Sequence, residues 1–267
     1  MSAAEAAMPD ILHAEWTKLR TVPGTAWLLA GVVAATGAIS AAAVAATRCA
    51  GGLGCPADTT KLSLTGVYLG QAVVAILAVL AVSNEYSTGM IRVTLAAMPR
   101  RLAVLAAKAA IVGALALVAG AIAIAGSLLA GRLTLPGNGF TAAHGYAALS
   151  LAHGPTLRAA CGSVLYLALI AMFSLGIATA VRDSAVSIGL SLGMLYLPPI
   201  LIALTVTNPV WLHRLQRYTP MTAGLTIQNT TGLHGLPITP WAGLGVLALW
   251  AAAALLTGGL LLRMRDA

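Results

Sequence analysis

Between Lys108 and Arg132 the chain reads AAIVGALALVAGAIAIAGSLLAG, residues 109–131, with no charged side chain and no proline. A helix rises 1.5 Å per residue, so about 20 such residues cross the roughly 30 Å hydrocarbon core of a bilayer. Charge-free gaps of the same kind run from Arg20 to Arg48, from Lys61 to Glu85, from Arg158 to Arg182 and from Asp183 to Arg214. Another runs from Arg217 to Arg263 and is most apolar near its C-terminal end. The reading is an all-α integral membrane protein, with residues 1–267 as a single transmembrane domain. Its six expected spans are 26–47, 64–83, 109–130, 159–181, 186–206 and 241–262.

Composition agrees. Apolar residues make up 59% of the 267 and charged residues only 8%, against about 25% charged in soluble domains. Lipid in place of water around the outer face accounts for both figures. The net charge of +8 comes from 15 Lys and Arg scattered at span ends and in loops. No basic run is interleaved with aromatics, so nucleic-acid binding is not expected. The 25 residues before the first apolar stretch include Glu5, Asp10 and Glu15. That is a long, acidic leader for a cleaved signal, so the first stretch is expected to remain as a span.

The gap from Arg132 to Arg158 is uncharged too. It holds Pro136-Gly137-Asn138-Gly139, His144, His153 and Gly154-Pro155, which break helices and expose backbone groups that lipid cannot satisfy. It is not expected to span. With the N-terminus inside, Lys18, Arg20, Arg92, Arg100, Arg101, Lys108, Arg182, Arg263 and Arg265 fall on the cytoplasmic side. Six cations fall outside: Arg48, Lys61, Arg132, Arg158, Arg214 and Arg217. The excess favours both termini in the cytoplasm of a multi-pass plasma-membrane protein. Cys49 and Cys55 then share the first outer loop, where a disulfide or two free thiols would fit. Cys161 reads as a small packing residue of the fourth span.

Residues 8–22 read as an amphipathic helix along the inner surface. Met8, Ile11, Leu12, Trp16 and Leu19 recur at helical spacing; Asp10, His13, Thr17 and Arg20 lie opposite. Trp16 and Trp27 suit an interface, and Pro23-Gly24 ends the segment. Glu15 falls inside the apolar arc. A carboxylate there needs a cation rather than lipid, and Arg92, Arg101 or Lys108 are the expected partners.

The connection Asn84–Lys108 is the longest on the inner side. Glu85 closes the second span, and Ser87-Thr88-Gly89 can end one helix and cap the next. Met90–Met98 reads as a short helix with Ile91, Leu95 and Met98 on one side, ended by Pro99. Arg100-Arg101 anchors the third span. Exposed apolar residues on such a helix suit either a docking surface or a lipid-facing one.

The stretch Asn84-Glu85-Tyr86-Ser87-Thr88-Gly89-Met90-Ile91-Arg92-Val93-Thr94-Leu95, with Met98-Pro99-Arg100-Arg101 and Lys108, resembles the inner loop of type-2 ABC-transporter permeases. Ala14-Glu15-Trp16-Thr17-Lys18-Leu19-Arg20 resembles the interfacial helix of that family, its actinobacterial members above all. The resemblance implies the membrane subunit of an ATP-driven exporter. It implies pairing with a second copy or a close paralogue, and with two copies of an ATP-binding subunit that carries the ATP and Mg. Thr88–Met98 would be the coupling helix, with Glu85 at its join to the second span, and Thr207–Pro240 would form short outer helices.

Within the spans, Tyr68, Gln71, Tyr166 and Tyr196 are the larger polar groups. Each could touch a substrate, but interhelical hydrogen bonding is the simpler role. Gly66-x-x-x-Gly70 and Gly189-x-x-x-Gly193 allow close packing, and Pro198-Pro199 should bend the fifth span. The expected spans carry no charge, which argues against an ion-coupled pump. No G-x-x-x-x-G-K-[ST] loop is present, so ATP binding by this chain is not expected. No base at depth accompanies the serines as an intramembrane protease needs. His144, His153, His213 and His234 have no recognisable metal-ligand spacing, and no cofactor or metal is expected. The apolar pathway points to a hydrophobic or amphipathic cargo such as a drug, an antibiotic or a lipid. The reading from another class is a non-transporting membrane anchor or sensor subunit.

Overall fold

A computed structural model describes His13, Trp16, Thr17, Thr21 and residues 23–49, 57–87 and 101–264. Its helices are α1 (Pro23–Ala46), α2 (Thr59–Ser63), α3 (Val67–Ser87), α4 (Arg101–Thr134), α5 (Gly154–Val181), α6 (Ser184–Thr205), α7 (Pro209–Tyr218), α8 (Pro220–Leu225) and α9 (Pro240–Met264). No strand occurs among the described residues. Six helices, namely α1, α3, α4, α5, α6 and α9, are long and apolar enough to cross a membrane. The chain is thus a multi-pass membrane protein by length and composition. Large apolar side chains such as Leu133, Leu204, Leu249, Leu256 and Leu260 stand exposed on these helices, as lipid-facing residues do.

The six helices alternate in direction. One end of the bundle, here the terminal face, holds the start of α1 and the end of α9. The opposite end is the far face. α5 is the central helix and packs on α9, α3, α4 and α6, while α1 lies against α4 and α3. Two close approaches depend on missing side chains. A Cβ on Gly176 would sit 2.4 Å from the Ala254 carbonyl carbon, and one on Gly258 would sit 2.6 Å from the Gly176 carbonyl oxygen. These positions bring the α5 and α9 backbones together. A Cβ on Gly66 would sit 1.9 Å from the Thr36 carbonyl oxygen, which seats α1 on the start of α3. Gly189 has nothing near it, and Gly193 meets only Leu197 of its own helix. The first GxxxG is therefore a packing site within the chain and the second is not.

The spans fall close to the expected positions, with two differences. α4 runs over 34 residues, about 50 Å at 1.5 Å per residue, and starts eight residues before the expected 109. It takes Lys108 into the helix because Glu85 neutralises it there. The helices reach past the charge-free gaps of the sequence: α3 includes Glu85, α4 includes Lys108 and Arg132, α5 includes Arg158 and α9 includes Arg263. The second difference is Cys161, which lies exposed on α5 as a free thiol rather than packed inside. Pro198 and Pro199 lie inside an unbroken α6.

The connection from Leu135 to His153 does not span. It forms two short 3-10 turns, Pro136–Asn138 and Ala142–His144. Val44, Leu135, Phe140 and Leu149 make a second small core beneath it, with the Phe140 and Tyr146 rings edge to face at 5.1 Å. Asn138 ties this loop to the first one: its carbonyl accepts from Cys49 N at 2.9 Å, and its Nδ2 donates to the Val44 carbonyl at 2.9 Å.

The segment between α6 and α9 is more than a cap. Pro220, Met221 and Ala223 through Gln228 are buried, and α8 packs on α9, α6 and α5. With α7 it forms a re-entrant hairpin that enters the bundle from the far face and returns to it.

Candidate functional site

Polar groups cluster at three levels of the bundle. The first is at the terminal face. Lys108 Nζ of α4 lies 2.7 Å from Glu85 Oε1 of α3, and both side chains are at least nine-tenths buried. Beside them the Arg182 guanidinium stands over the Tyr86 ring at 5.4 Å. Arg182 ends α5 with φ +67, a left-handed conformation uncommon for a non-glycine residue, and its N–H closes on the Ala178 carbonyl. Asp183 then caps α6 by accepting from Val186 N at 2.8 Å. The ends of α3, α4 and α5 are thereby held together by charge and ring contacts rather than by apolar packing alone. A buried pair at hydrogen-bond distance resists the loss of either member, because the survivor is left charged in a poor solvent.

This cluster stands at both roots of the Thr88–Arg100 connection. α3 ends at Ser87 and α4 begins at Arg101. Of the residues singled out for coupling, Glu85 is thus placed and partnered, and Arg101 is the first residue of α4. Thr88, Gly89, Met90, Ile91, Arg92, Leu95, Met98 and Arg100 lie outside the described residues. So do Glu15, Lys18 and Arg20, while Trp16 is helical and exposed. The Thr17 and Thr21 hydroxyls donate to the carbonyls four residues earlier, at 2.8 and 3.0 Å. Lys108, one expected partner of Glu15, is engaged by Glu85. That pairing joins positions 23 residues apart, and charge counting along the chain did not find it.

The second level is within the membrane. Tyr166 Oη of α5 donates to Gln71 Oε1 of α3, and both side chains are wholly buried. Gln71 Nε2 reaches the Met221 sulfur of α8 at 3.4 Å. The Tyr196 hydroxyl of α6 donates to the Tyr68 carbonyl. A Cβ on Gly224 would sit 2.6 Å from the Tyr166 ring, so α8 lies directly on that tyrosine. Lower on the far side, Gln228 Nε2 donates to Ser163 Oγ at 3.2 Å. Gln71 and Tyr166 therefore join three elements, while Tyr68 stands half-exposed on the surface of the bundle. Met221 and Gln228 went unnoticed in the sequence because the hairpin that carries them has no hydropathy signature.

The third level is the far face, where charged side chains grip the returning limb of the hairpin. Asp58 caps α2 by accepting from Lys61 N at 3.0 Å, and its carboxylate also accepts from the Thr230 hydroxyl at 2.7 Å and from Thr231 N at 3.1 Å. Lys61 Nζ donates to Asn229 Oδ1 at 3.0 Å, and Arg158 Nη2 donates to the Asn229 carbonyl. Cys49, nearby in the first loop, is disulfide-bonded; Cys55 lies outside the described residues. Among the described residues no group of three or more His, Cys, Asp and Glu could hold a metal ion.

No protein-family model matches this chain, and no curated protein matches it.

Proposed function

We propose that this chain is the transmembrane subunit of an ATP-driven exporter of the type-2 ABC kind, working as a pair of permease chains with two separate ATP-binding subunits. On this reading it lies in the plasma membrane with both termini in the cytoplasm, and the far face is the outer one. The observation that carries the reading is the Glu85–Lys108 pair at the roots of the connection whose sequence resembles the family's inner loop. A push on Thr88–Met98 meets two helix ends clamped to each other, so it moves α3 and α4 together instead of bending the loop. α3 in turn touches the hairpin through Gln71 and Met221. Displacement at the terminal face thus has a physical route to the segment that closes the far face.

The chain itself supplies the pathway and no chemistry. ATP and Mg would belong to the partner. Co-expression with its ATP-binding subunit should yield a complex whose ATP hydrolysis drives transport. Charge reversal at Arg92 or Arg101 should leave the complex assembled and hydrolysing but not transporting. Wild-type transport in those variants at normal expression would overturn the coupling role.

A further inference from the structure

α7 is placed in a way that the export reading does not account for. Tyr218, its last residue, accepts at its carbonyl from Trp250 Nε1 at 3.0 Å. Trp250 lies ten residues past Pro240, the start of α9, about 15 Å along the axis at 1.5 Å per residue. The tip of the hairpin is therefore well below the far surface. The Thr219 and Thr222 hydroxyls close the turn at this tip by donating to the Gln216 carbonyl at 3.2 and 2.6 Å. Yet α7 carries His213, Arg214 and Arg217, all exposed.

On the helical wheel these three occupy one arc of about 100°. Trp211, Leu215 and Tyr218 occupy the adjoining arc and are exposed as well. Leu212 and Gln216 are half-buried toward the protein. The Arg214 guanidinium rests over the Trp211 ring at 5.4 Å, at the seam of the two arcs. Among the described residues neither Arg214 nor Arg217 has an ion-pair partner. The chain offers none nearby in sequence, having no Asp or Glu between Asp183 and Asp266. Cations facing hydrocarbon are costly, so these must meet water or an anion. An exposed aromatic and aliphatic strip beside them fits the body of an amphiphile.

We propose that this face of α7 binds a lipid-like anion below the far surface of the membrane. Arg214 and Arg217 would hold its phosphate or carboxylate head, and Trp211, Leu215 and Tyr218 would lie along its apolar part. Guanidinium forks match such heads through paired hydrogen bonds. The inference rests on the export reading only in making that anion the cargo. A headgroup held this deep is one displaced from its leaflet, as a lipid in transit is.

The test uses the purified full-length chain in detergent with equal phosphatidylglycerol and phosphatidylcholine, and native mass spectrometry to count the lipids retained. Wild type should retain phosphatidylglycerol several-fold over phosphatidylcholine. Arg214→Gln with Arg217→Gln should abolish the preference, while Arg132→Gln, on the exposed far end of α4, should keep it. On wild type alone, dodecyl phosphate should displace the bound phosphatidylglycerol and dodecylphosphocholine should not. An unchanged preference in the double variant, an equal loss in Arg132→Gln, or displacement by both detergents would overturn the proposal. No ATP-binding subunit enters the measurement, so its absence from the cell would sink the export reading and leave this result standing.

Discussion

Glu85 and Lys108 are the residues on which the terminal face depends. Removing one partner takes a charge-assisted hydrogen bond from the other at a buried site, and breaking a buried pair in this way costs about 3–5 kcal/mol. Lys108→Met or Glu85→Gln should therefore lower the melting temperature in detergent well below that of wild type. The exchanged pair, Glu85→Lys with Lys108→Glu, should recover much of the loss. Melting unchanged in Lys108→Met would show that the pair does not clamp α3 to α4. A milder effect is expected at Tyr166→Phe, where Gln71 keeps its place but loses a donor, at about 1–3 kcal/mol. At this scale the sequence was half legible. Glu85 stood out because a carboxylate closes a charge-free gap. Lys108 looked like the boundary of the next span, because a partner across the bundle leaves no trace in a linear pattern. Cys161 was misjudged for a related reason: small residues do not reveal which side of a buried central helix they occupy.

Among the elements, α5 and α9 make the contact that is least tolerant of change. Gly176→Val would drive a side chain into the Ala254–Leu255 backbone. Overpacking commonly costs about 1–3 kcal/mol, and here backbone rather than a side chain must yield. The variant should express poorly or melt early. Gly189→Val meets nothing within the chain and should leave the melting temperature of the isolated chain unchanged. Equal destabilisation of the two variants would contradict this packing scheme. The spans could be read in the sequence because the bilayer imposes length and removes charge. The hairpin could not be. α7 and α8 are short, and two or three turns do not set up a hydropathy window. Their depth comes from contacts with Trp250, Gln71 and Tyr166 that only the folded chain creates. Pro209, Pro220 and Pro240 stand at the first positions of α7, α8 and α9, which sets where these helices start and not which way they run.

For the whole molecule, three polar levels divide the bundle between a clamped terminal face and a gripped far face. Removing the grip should free the hairpin without unfolding the spans. Asp58→Ala takes acceptors from the Thr230 hydroxyl and Thr231 N, so hydrogen exchange over residues 226–231 should quicken while α5 and α9 keep their protection. Uniform loss of protection would mean that the far face is part of one cooperative core. The hairpin touches α3 at Met221, so a motion that begins at the roots of the Thr88–Arg100 connection is expected to change this protection too.

On the exporter reading proposed above, Thr88–Met98 of that connection docks on an ATP-binding subunit. The direct measurement is disulfide or bifunctional-maleimide crosslinking from Leu95→Cys, in a Cys161→Ser background because Cys161 is an exposed free thiol, to single cysteines on the co-expressed ATP-binding subunit. One dominant crosslink is expected, with a yield that changes between ATP-bound and nucleotide-free states. A complex that hydrolyses ATP and shows no crosslink from Leu95→Cys, or the same yield in both states, would rule this docking out.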